Sequence, residues 1–265
     1  MLETSKLNEG KIKRYLSEGR RFDGRDLNEF REIKIETGVS KHAEGSVRVK
    51  LGKTEVLVGV KMDVATPFPD TPNQGNLMTN AELTPLSSAD FESGPPKTPA
   101  IELGRIIDRG IRESKFIDFE KLCIKEGEKV WSVFIDIYSI NDDGNLLDAA
   151  GIAALIALKN TMVPKYDEEK EKAIYGEHDR KLPLAENMIP ISLTVHKIGD
   201  NLLIDPLKEE EDVSEMRLTT SGFKDTIFAM QKGESGTIES ERMPELLELA
   251  EKAREKVILR IKEYL

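Results

Sequence analysis

KVWSVFIDIYSI, at Lys129–Ile140, and LDAAGIAALIALKN, at Leu147–Asn160, decide the fold of this chain. The first segment is rich in aromatic and β-branched side chains, and its nearly continuous apolarity predicts a central strand covered on both faces. The second is apolar almost all round and rich in small residues, which predicts a buried helix packed closely against the sheet. Together they predict a mixed α+β core.

The segments on either side extend this core. An N-terminal helix is predicted at Lys6–Leu16, and alternating apolar residues between Val47 and Met62 predict a hairpin. Residues 65–99 form a long polar stretch, part of which we expect to be an extended strand because a featureless loop of this length is uncommon. The remaining predicted elements are a helix at Pro99–Asp118, strands at Ile189–Ile198, Leu202–Ile204, Met216–Thr220 and Thr226–Met230, and a C-terminal helix with Pro244 in its first turn.

The order of the elements indicates two related α+β halves. The best boundary between them is the charged segment DEEKEK, at Asp167–Lys172, with the polar run that follows it. We therefore predict an N-terminal helix and extension at 1–30, a first half at 31–165, a charged connection at 166–188 and a second half at 189–265.

The charge of the chain limits the possible functions. Its 265 residues include 39 basic and 49 acidic side chains, for a net charge of −10. This excludes a protein that coats nucleic acid with its whole surface, so any such contact must be a local patch. The single cysteine, Cys123, excludes an internal disulfide framework, and we expect it to be a buried small hydrophobe. No run reaches the roughly 20 apolar residues of a membrane span and the N-terminus is too polar for a secretory signal, so we expect a cytoplasmic protein without membrane contact.

The predicted helix at Pro99–Asp118 carries a row of arginines opposite its apolar face. Arg105, Arg109 and Arg112 follow each other at spacings of four and three residues. Arginine favours planar, bidentate recognition of anions such as phosphate. Acidic neighbours at helical spacing equally favour an exposed face of intrahelical ion pairs, so both interpretations stay open. These neighbours are Glu102, Asp108 and Glu113.

A second candidate is the acidic cluster DPLKEEED at Asp205–Asp212. Carboxylates that follow a strand can hold a divalent metal or act as acid and base, but they also suit an exposed, solvated loop. The three histidines lack metal-ligand spacing: we place His42 in a loop, His178 in the charged connection and His196 on the solvent side of a strand. From the residues alone, the choice lies between an enzyme with an acidic site and an RNA-contacting scaffold.

Four segments, taken in order, resemble the RNase PH family over nearly the whole chain. Within that family the resemblance is to the non-catalytic ring subunits of the archaeal exosome. The segments are RRFDGRDLNEFREIKIETG at 20–38, AEGSVRVKLGKTEVLVGVK at 43–61, IELGRIIDRGIRES at 101–114 and NDDGNLLDAAGIAALIAL at 141–158.

The resemblance implies a fold and a set of partners. The fold is the RNase PH fold, similar to domain 2 of ribosomal protein S5, with two β-α-β-α halves. The expected partner is a homologous catalytic subunit, with three such heterodimers closing a hexameric ring. Subunits with S1 or KH domains cap the ring, and single-stranded RNA is shortened in its channel from the 3′ end, with inorganic phosphate as nucleophile.

Two departures from the family pattern imply that this chain does not catalyse phosphorolysis alone. Leu146 and Leu147 stand where active members carry a phosphate-binding pair such as Thr-Arg, and leucine donates no hydrogen bond to phosphate. Arg217 stands near an expected carboxylate, where a cation cannot act as acid or metal ligand. By resemblance, Arg105 and Arg109, and less clearly Arg112, contact RNA. We therefore expect a non-catalytic RNA-binding subunit without catalytic residues, metal ligands or cofactor; the alternative is a competent phosphorolytic exoribonuclease that uses the Asp205–Asp212 cluster.

Overall fold

The computed structural model describes residues 6–185 and 187–265, and its first sheet contains the predicted central strand. The strand order is β1-β2-β3-β6-β4, and β5 pairs with the N-terminal end of β6. All neighbours are antiparallel except β4 and β6, which run parallel. The strands are β1 (Ile33–Thr37), β2 (Gly45–Leu51), β3 (Thr54–Ala65), β4 (Asn76–Glu82), β5 (Cys123–Lys125) and β6 (Lys129–Asn141).

A two-stranded ribbon and a second sheet follow in the chain. The ribbon pairs β7 (Met162–Asp167) with β8 (Lys172–Lys181) in antiparallel fashion. The second sheet is antiparallel throughout and has the order β10-β9-β11-β12. Its strands are β9 (Ile191–Ile198), β10 (Asn201–Ile204), β11 (Met216–Phe223) and β12 (Thr226–Gly233).

Helices connect and cover the two sheets. Helix α3 packs on β2 and β3 of the first sheet and on β9 of the second, and α2 contacts both β4 and β12. Residues 149–158 of α3 are buried without exception, so the small side chains allow both sheets to approach the helix closely. The helices are α1 (Lys6–Ser17), α2 (Thr98–Glu113), α3 (Leu146–Lys159), α4 (Lys208–Asp212) and α5 (Met243–Ile261).

The predicted α+β class and the two β-α-β-α halves are confirmed. The first half runs through β4, α2, β6 and α3, and the second through β9, α4, β11 and α5. Helix α2 ends at Glu113, earlier than predicted, because the backbone turns at Lys115 with a φ of 53°. The Ser114 hydroxyl supports this turn by accepting a hydrogen bond from Phe116 N at 3.2 Å.

Four local predictions need correction. Part of the segment described as a charged connection is strand β8, whose polar side chains on both faces hide the usual alternation. Cys123 is only half-buried, at the edge of the first sheet. His196 is 1 % exposed, because α1 covers that face of β9 through contacts of Ile12 with the strand's apolar residues. The acidic cluster is not a loop: most of it forms α4.

Candidate nucleic-acid interface and the adjoining cleft

Helix α2 is held tightly against both sheets, which fixes the direction of its polar face. Its buried residues include Leu103, Ile107 and Ile111, and Pro99 lies in its first turn. A Cβ atom at Gly110 would lie 2.5 Å from the Ser221 Oγ of β11, so only glycine permits this close approach. The arginine row therefore points outward as predicted, with Arg105, Arg109 and Arg112 all exposed.

The three arginines differ in their contacts. Arg112 donates to both carboxylate oxygens of Asp108, at 3.1 and 3.0 Å, and to the Leu77 carbonyl at 3.1 Å. Glu102, the predicted partner of Arg105, instead binds Arg217 at 2.6 Å. Arg105 and Arg109 form no hydrogen bond or ion pair with any residue that the structure describes. The ion-pair interpretation thus accounts for Arg112 and leaves two guanidinium groups available to a ligand.

A groove of about 420 Å³ runs beside these two guanidinium groups. Ile101, Arg105 and Arg109 line it from α2, and Gln231 lines it from β12. Ile101 is 50 % exposed, which places an apolar surface next to the cations. The groove combines positive charge with apolar surface, as a strand of nucleic acid requires for its phosphates and bases.

At the N-terminal end of α2 the structure contains a larger cleft, of about 680 Å³. Leu146 and Leu147 at the start of α3 and Arg217 of β11 all line it, so the residues singled out as departures from the family pattern lie at one site. Of the residues that the structure describes, six acidic side chains and two basic ones line this space. Both basic groups already have acidic partners, Arg217 with Glu102 and Lys208 with Asp212.

The chemistry of the cleft is therefore unsuited to inorganic phosphate. The side chains of Leu146 and Leu147 offer no hydrogen-bond donor, and the surplus of carboxylates repels an anion. Burial, with a further contribution from Asp142, raises the pKa of Glu211 to about 7. Among residues 6–185 and 187–265 there is no group of three or more histidine, cysteine or carboxylate side chains placed to hold a metal ion.

Asp205, the first residue of the acidic cluster, lies outside the cleft in a buried ion-pair network. Arg31 binds its carboxylate at 2.6 Å and Arg25 binds it at 2.9 Å, while the Asn145 amide donates to it at 2.9 Å. Burial alone would raise the pKa of Asp205, but the hydrogen bonds and charge of Arg31 outweigh it and hold that pKa below its usual range. We use the term buried network for Arg21, Arg25, Arg31, Asp205 and Glu210, in which Arg21 pairs with Glu210 at 2.5 Å.

The buried network occupies two carboxylates of the acidic cluster, whereas Glu211 and Asp212 line the cleft. Asp205 is 0 % exposed and Glu210 is 1 % exposed, and their oxygens are occupied by arginines from the segment between α1 and β1. Neither carboxylate is free to bind a metal or to exchange a proton with a substrate. The alternative interpretation, an enzyme that uses Asp205–Asp212, is not supported.

Sequence reasoning did not predict the burial of Asp148 and His196, two titratable groups near this network. Asn145 donates to Asp148 at 3.1 Å, and burial raises the pKa of Asp148 to about 8. Burial lowers the pKa of His196 to about 3, and its Nδ1 lies 3.1 Å from the Ser214 Oγ. The apolar surroundings of Asp148 within the α3 sequence were the one available signal, since a carboxylate on an all-apolar helix must be buried.

Comparison with known proteins identifies the family. The model of domain 1 of the 3′ exoribonuclease family, RNase PH, matches residues 29–164, and the model of domain 2 matches residues 188–253. The chain belongs to the RNase PH family. The two matches together include α2, α3 and β11, and so include the arginine row and the lining of the cleft apart from Glu9.

Relatives and solved structures cover nearly the whole chain. The exosome complex component Rrp42 of Methanopyrus kandleri is 47 % identical over 240 residues, 90 % of each chain. The component of the same name from Methanocella arvoryzae is 49 % identical over 235 residues, 88 % of this chain and 87 % of the relative. A chain in the Archaeoglobus fulgidus exosome with RNA bound to the active site superposes with a TM-score of 0.85 and 44 % identity, covering 95 % of this chain and 98 % of that one. An archaeal exosome core chain has a TM-score of 0.82 and 41 % identity, with 97 % and 96 % covered.

Proposed function

We propose that this chain is a non-catalytic, RNA-binding ring subunit of an archaeal exosome, a complex that degrades and processes RNA by 3′-5′ phosphorolysis. The observation that carries the proposal is the composition of the cleft. Leu146 and Leu147 replace phosphate donors, and the cations present are already neutralised by carboxylates. Relatives at 47 and 49 % identity that are named exosome components support the assignment to this complex.

The contribution of this subunit to the complex is to hold RNA. Arg105 and Arg109 lie one helical turn apart on α2, and neither has a partner within the described parts of the chain. Their guanidinium groups can bind phosphate oxygens in bidentate fashion without reading the base sequence. Arg112, which Asp108 already holds, contributes less. Contacts of this type suit a complex that must degrade RNA of any sequence.

The partner set follows from the family. The active site belongs to a homologous RNase PH-like subunit, and three heterodimers form a hexameric ring capped by subunits with S1 or KH domains. The structural match to a chain of an exosome with RNA at its active site supports both the assembly and the ligand. No helix among the described residues is long and apolar enough to cross a membrane. We place this assembly in the cytoplasm.

Activity assays of the separate and assembled subunits test this proposal. The purified chain, given 5′-labelled oligo-RNA, phosphate and Mg²⁺, should leave the RNA intact, and addition of a co-expressed RNase PH-like partner should produce phosphorolysis. Shortening of the RNA by a homogeneous preparation of this chain alone, with release of nucleoside diphosphates, would refute the non-catalytic assignment.

RNA affinity of the assembled complex tests the arginine row. The double variant Arg105→Ala/Arg109→Ala should weaken binding of oligoadenylate and reduce the slope of log K against log salt by about 0.7 for each lost contact to a single strand. The matched control is Arg180→Ala/Arg242→Ala, because Arg180 is exposed and Arg242 half-buried, and both are arginines outside α2 that already have acidic neighbours. A salt slope equal to that of the control would leave a scaffold whose arginines do not touch RNA.

A further inference from the structure

A second basic surface lies on α1 and the turn that follows it. We propose that this surface binds single-stranded RNA, as a contact separate from the arginine row on α2. We call it the α1 patch and define it as Lys11, Arg14, Tyr15, Arg20 and Phe22. The ligand class follows from the side chains of the patch, and the choice of RNA over DNA rests on the function proposed above.

The patch is built around two aromatic rings. The ring centroids of Tyr15 and Phe22 are 5.0 Å apart, with an angle of 52° between the ring planes. The Lys11 ammonium lies 5.7 Å from the Phe22 centroid, and the Arg20 guanidinium lies 5.7 Å from the Tyr15 centroid. Phe22 is nevertheless 46 % exposed. A large aromatic surface therefore remains open to solvent between cations.

Charge is concentrated around these rings. Residues 11–25 contain six basic and two acidic side chains, in a chain whose net charge is −10. Some of the cations already have carboxylate partners: Lys13 binds Glu215, and Arg21 belongs to the buried network. Lys11 and Arg14 form no ion pair with any residue in the described ranges. Arg20 is also exposed but forms an ion pair with Glu18, so Lys11 and Arg14 supply the unpaired positive charge of the patch.

The geometry of α1 separates this patch from the cleft. Ile12 and Leu16 form the buried stripe of the helix against the second sheet. Glu9 lies on one flank of that stripe and lines the cleft, while Lys11 and Tyr15 lie on the other flank. A strand that contacts the patch therefore passes on the far side of α1 from the cleft.

The combination of open aromatic surface and unpaired cations selects single-stranded nucleic acid. Unpaired bases can stack on aromatic rings irrespective of sequence, and the cations neutralise neighbouring phosphates. A duplex keeps its base faces covered, so it would use only the cations. The complex would gain a second, sequence-independent contact for RNA that is not yet in the channel.

Photo-crosslinking locates the contact directly. An oligoribonucleotide with 5-iodouridine, which couples to aromatic side chains on irradiation, is bound to the full chain and to the complex with its partner. Mass spectrometry of the digest should find RNA attached to the peptide that contains Tyr15 and Phe22. The exposed Phe68, which is 43 % accessible and lies outside the patch, is the internal control and should not be labelled.

Affinity measurements give the second readout. Phe22→Ala should weaken binding of fluorescent oligouridylate about fivefold or more, the effect expected for one stacked base, whereas Phe68→Ala should change it less than twofold. Arg14→Ala, which removes no packing, should reduce the salt slope by about 0.7. The effect of each substitution should persist in the Arg105→Ala/Arg109→Ala background. The test of the α1 patch therefore stays valid even if Arg105 and Arg109 do not bind RNA.

Two outcomes would overturn the proposal. The first is the absence of a crosslink to residues 11–25 together with unchanged affinity in both Phe22→Ala and Arg14→Ala. The second is a loss of assembly with the partner in these variants while the isolated chain binds RNA as before. That second result would assign the α1 patch to a protein–protein interface.

Discussion

Two groups of arginines in this molecule have opposite surroundings. Arg21 and Arg31 are 3 % and 8 % exposed and are bound to carboxylates that are themselves buried. Arg105 and Arg109 are exposed on α2 and bind no residue that the structure describes. The residue type is the same, but the first group joins parts of the fold and the second is free for a ligand.

The two groups differ in the free energy that is lost when the partner of a guanidinium is removed. A buried charge without a partner carries a large desolvation cost, so the groups of the buried network depend on one another. An exposed arginine is hydrated and loses little when it is alone, so it is free to exchange water for phosphate. The most direct test of this contrast is to remove one member of each group.

Arg31→Ala should have the largest effect on stability. It leaves Asp205 buried with fewer partners and removes donors to the Asp143 and Gly144 carbonyls that precede α3. We expect the free energy of unfolding to fall by about 3–5 kcal/mol, measured by urea denaturation of the full chain. The matched control Arg105→Ala should change it by less than about 0.5 kcal/mol. Similar small losses in both variants would show that burial does not separate the two groups.

The pH dependence of stability gives a second test of this contrast. Asp148 is a buried acid next to the buried network, but it forms no ion pair with an arginine among the described residues. Burial raises its pKa to about 8, so at pH 7 the folded protein keeps Asp148 protonated while the unfolded chain ionises it. The folded state then binds more protons than the unfolded state, and stability falls as pH rises from about 4 to about 8. Between pH 6.5 and 8 the loss should be about 1.6 kcal/mol, because Asp148 is itself half ionised at pH 8.

Asp148→Asn isolates this contribution. The variant has no titrating group at this position, so its stability should decline less than that of the unchanged chain between pH 6.5 and 8, as measured by urea unfolding at several pH values. This window avoids the opposing contribution of His196, whose pKa of about 3 favours the folded state as pH rises only up to about 6.5. Parallel pH profiles for the two proteins would mean that Asp148 is ionised in the fold.

The elements of the fold were predictable where one face of a segment is apolar. The periodicity of Val47–Met62 predicted the β2–β3 hairpin, and the bulk of Lys129–Ile140 predicted β6. The exposure of the α2 arginines followed from helical spacing alone. These features depend on residues close together in sequence, so the local pattern of apolar and polar residues is enough to predict them.

The buried network and the environment of His196 were not predictable in this way. Arg31 and Asp205 are 174 positions apart, and alternation along β9 places His196 on a face whose cover comes from α1. The acidic segment at Asp205–Asp212 suggested a solvated loop or a metal site because its partners, Arg21, Arg25 and Arg31, are remote in sequence. Strand β8 was missed because its stability depends on pairing with β7.

Arg112 should give a smaller effect on stability than Arg31 or Asp148, and it tests the comparison in one residue because it is exposed like Arg105 yet already paired. Arg112→Ala removes the exposed Asp108 pair and one bond to the Leu77 carbonyl, so we expect a loss of roughly 0.5–1 kcal/mol in urea unfolding. In the complex, the same variant should reduce the RNA salt slope by less than Arg105→Ala does, since phosphate must compete with Asp108 for the guanidinium. Arg109→Ala, which breaks no pair among the described residues, should match Arg105→Ala. If Arg112→Ala reduced the RNA salt slope as much as Arg105→Ala does, RNA would have to displace Asp108 from Arg112. An existing ion pair would then not prevent an exposed arginine from binding RNA.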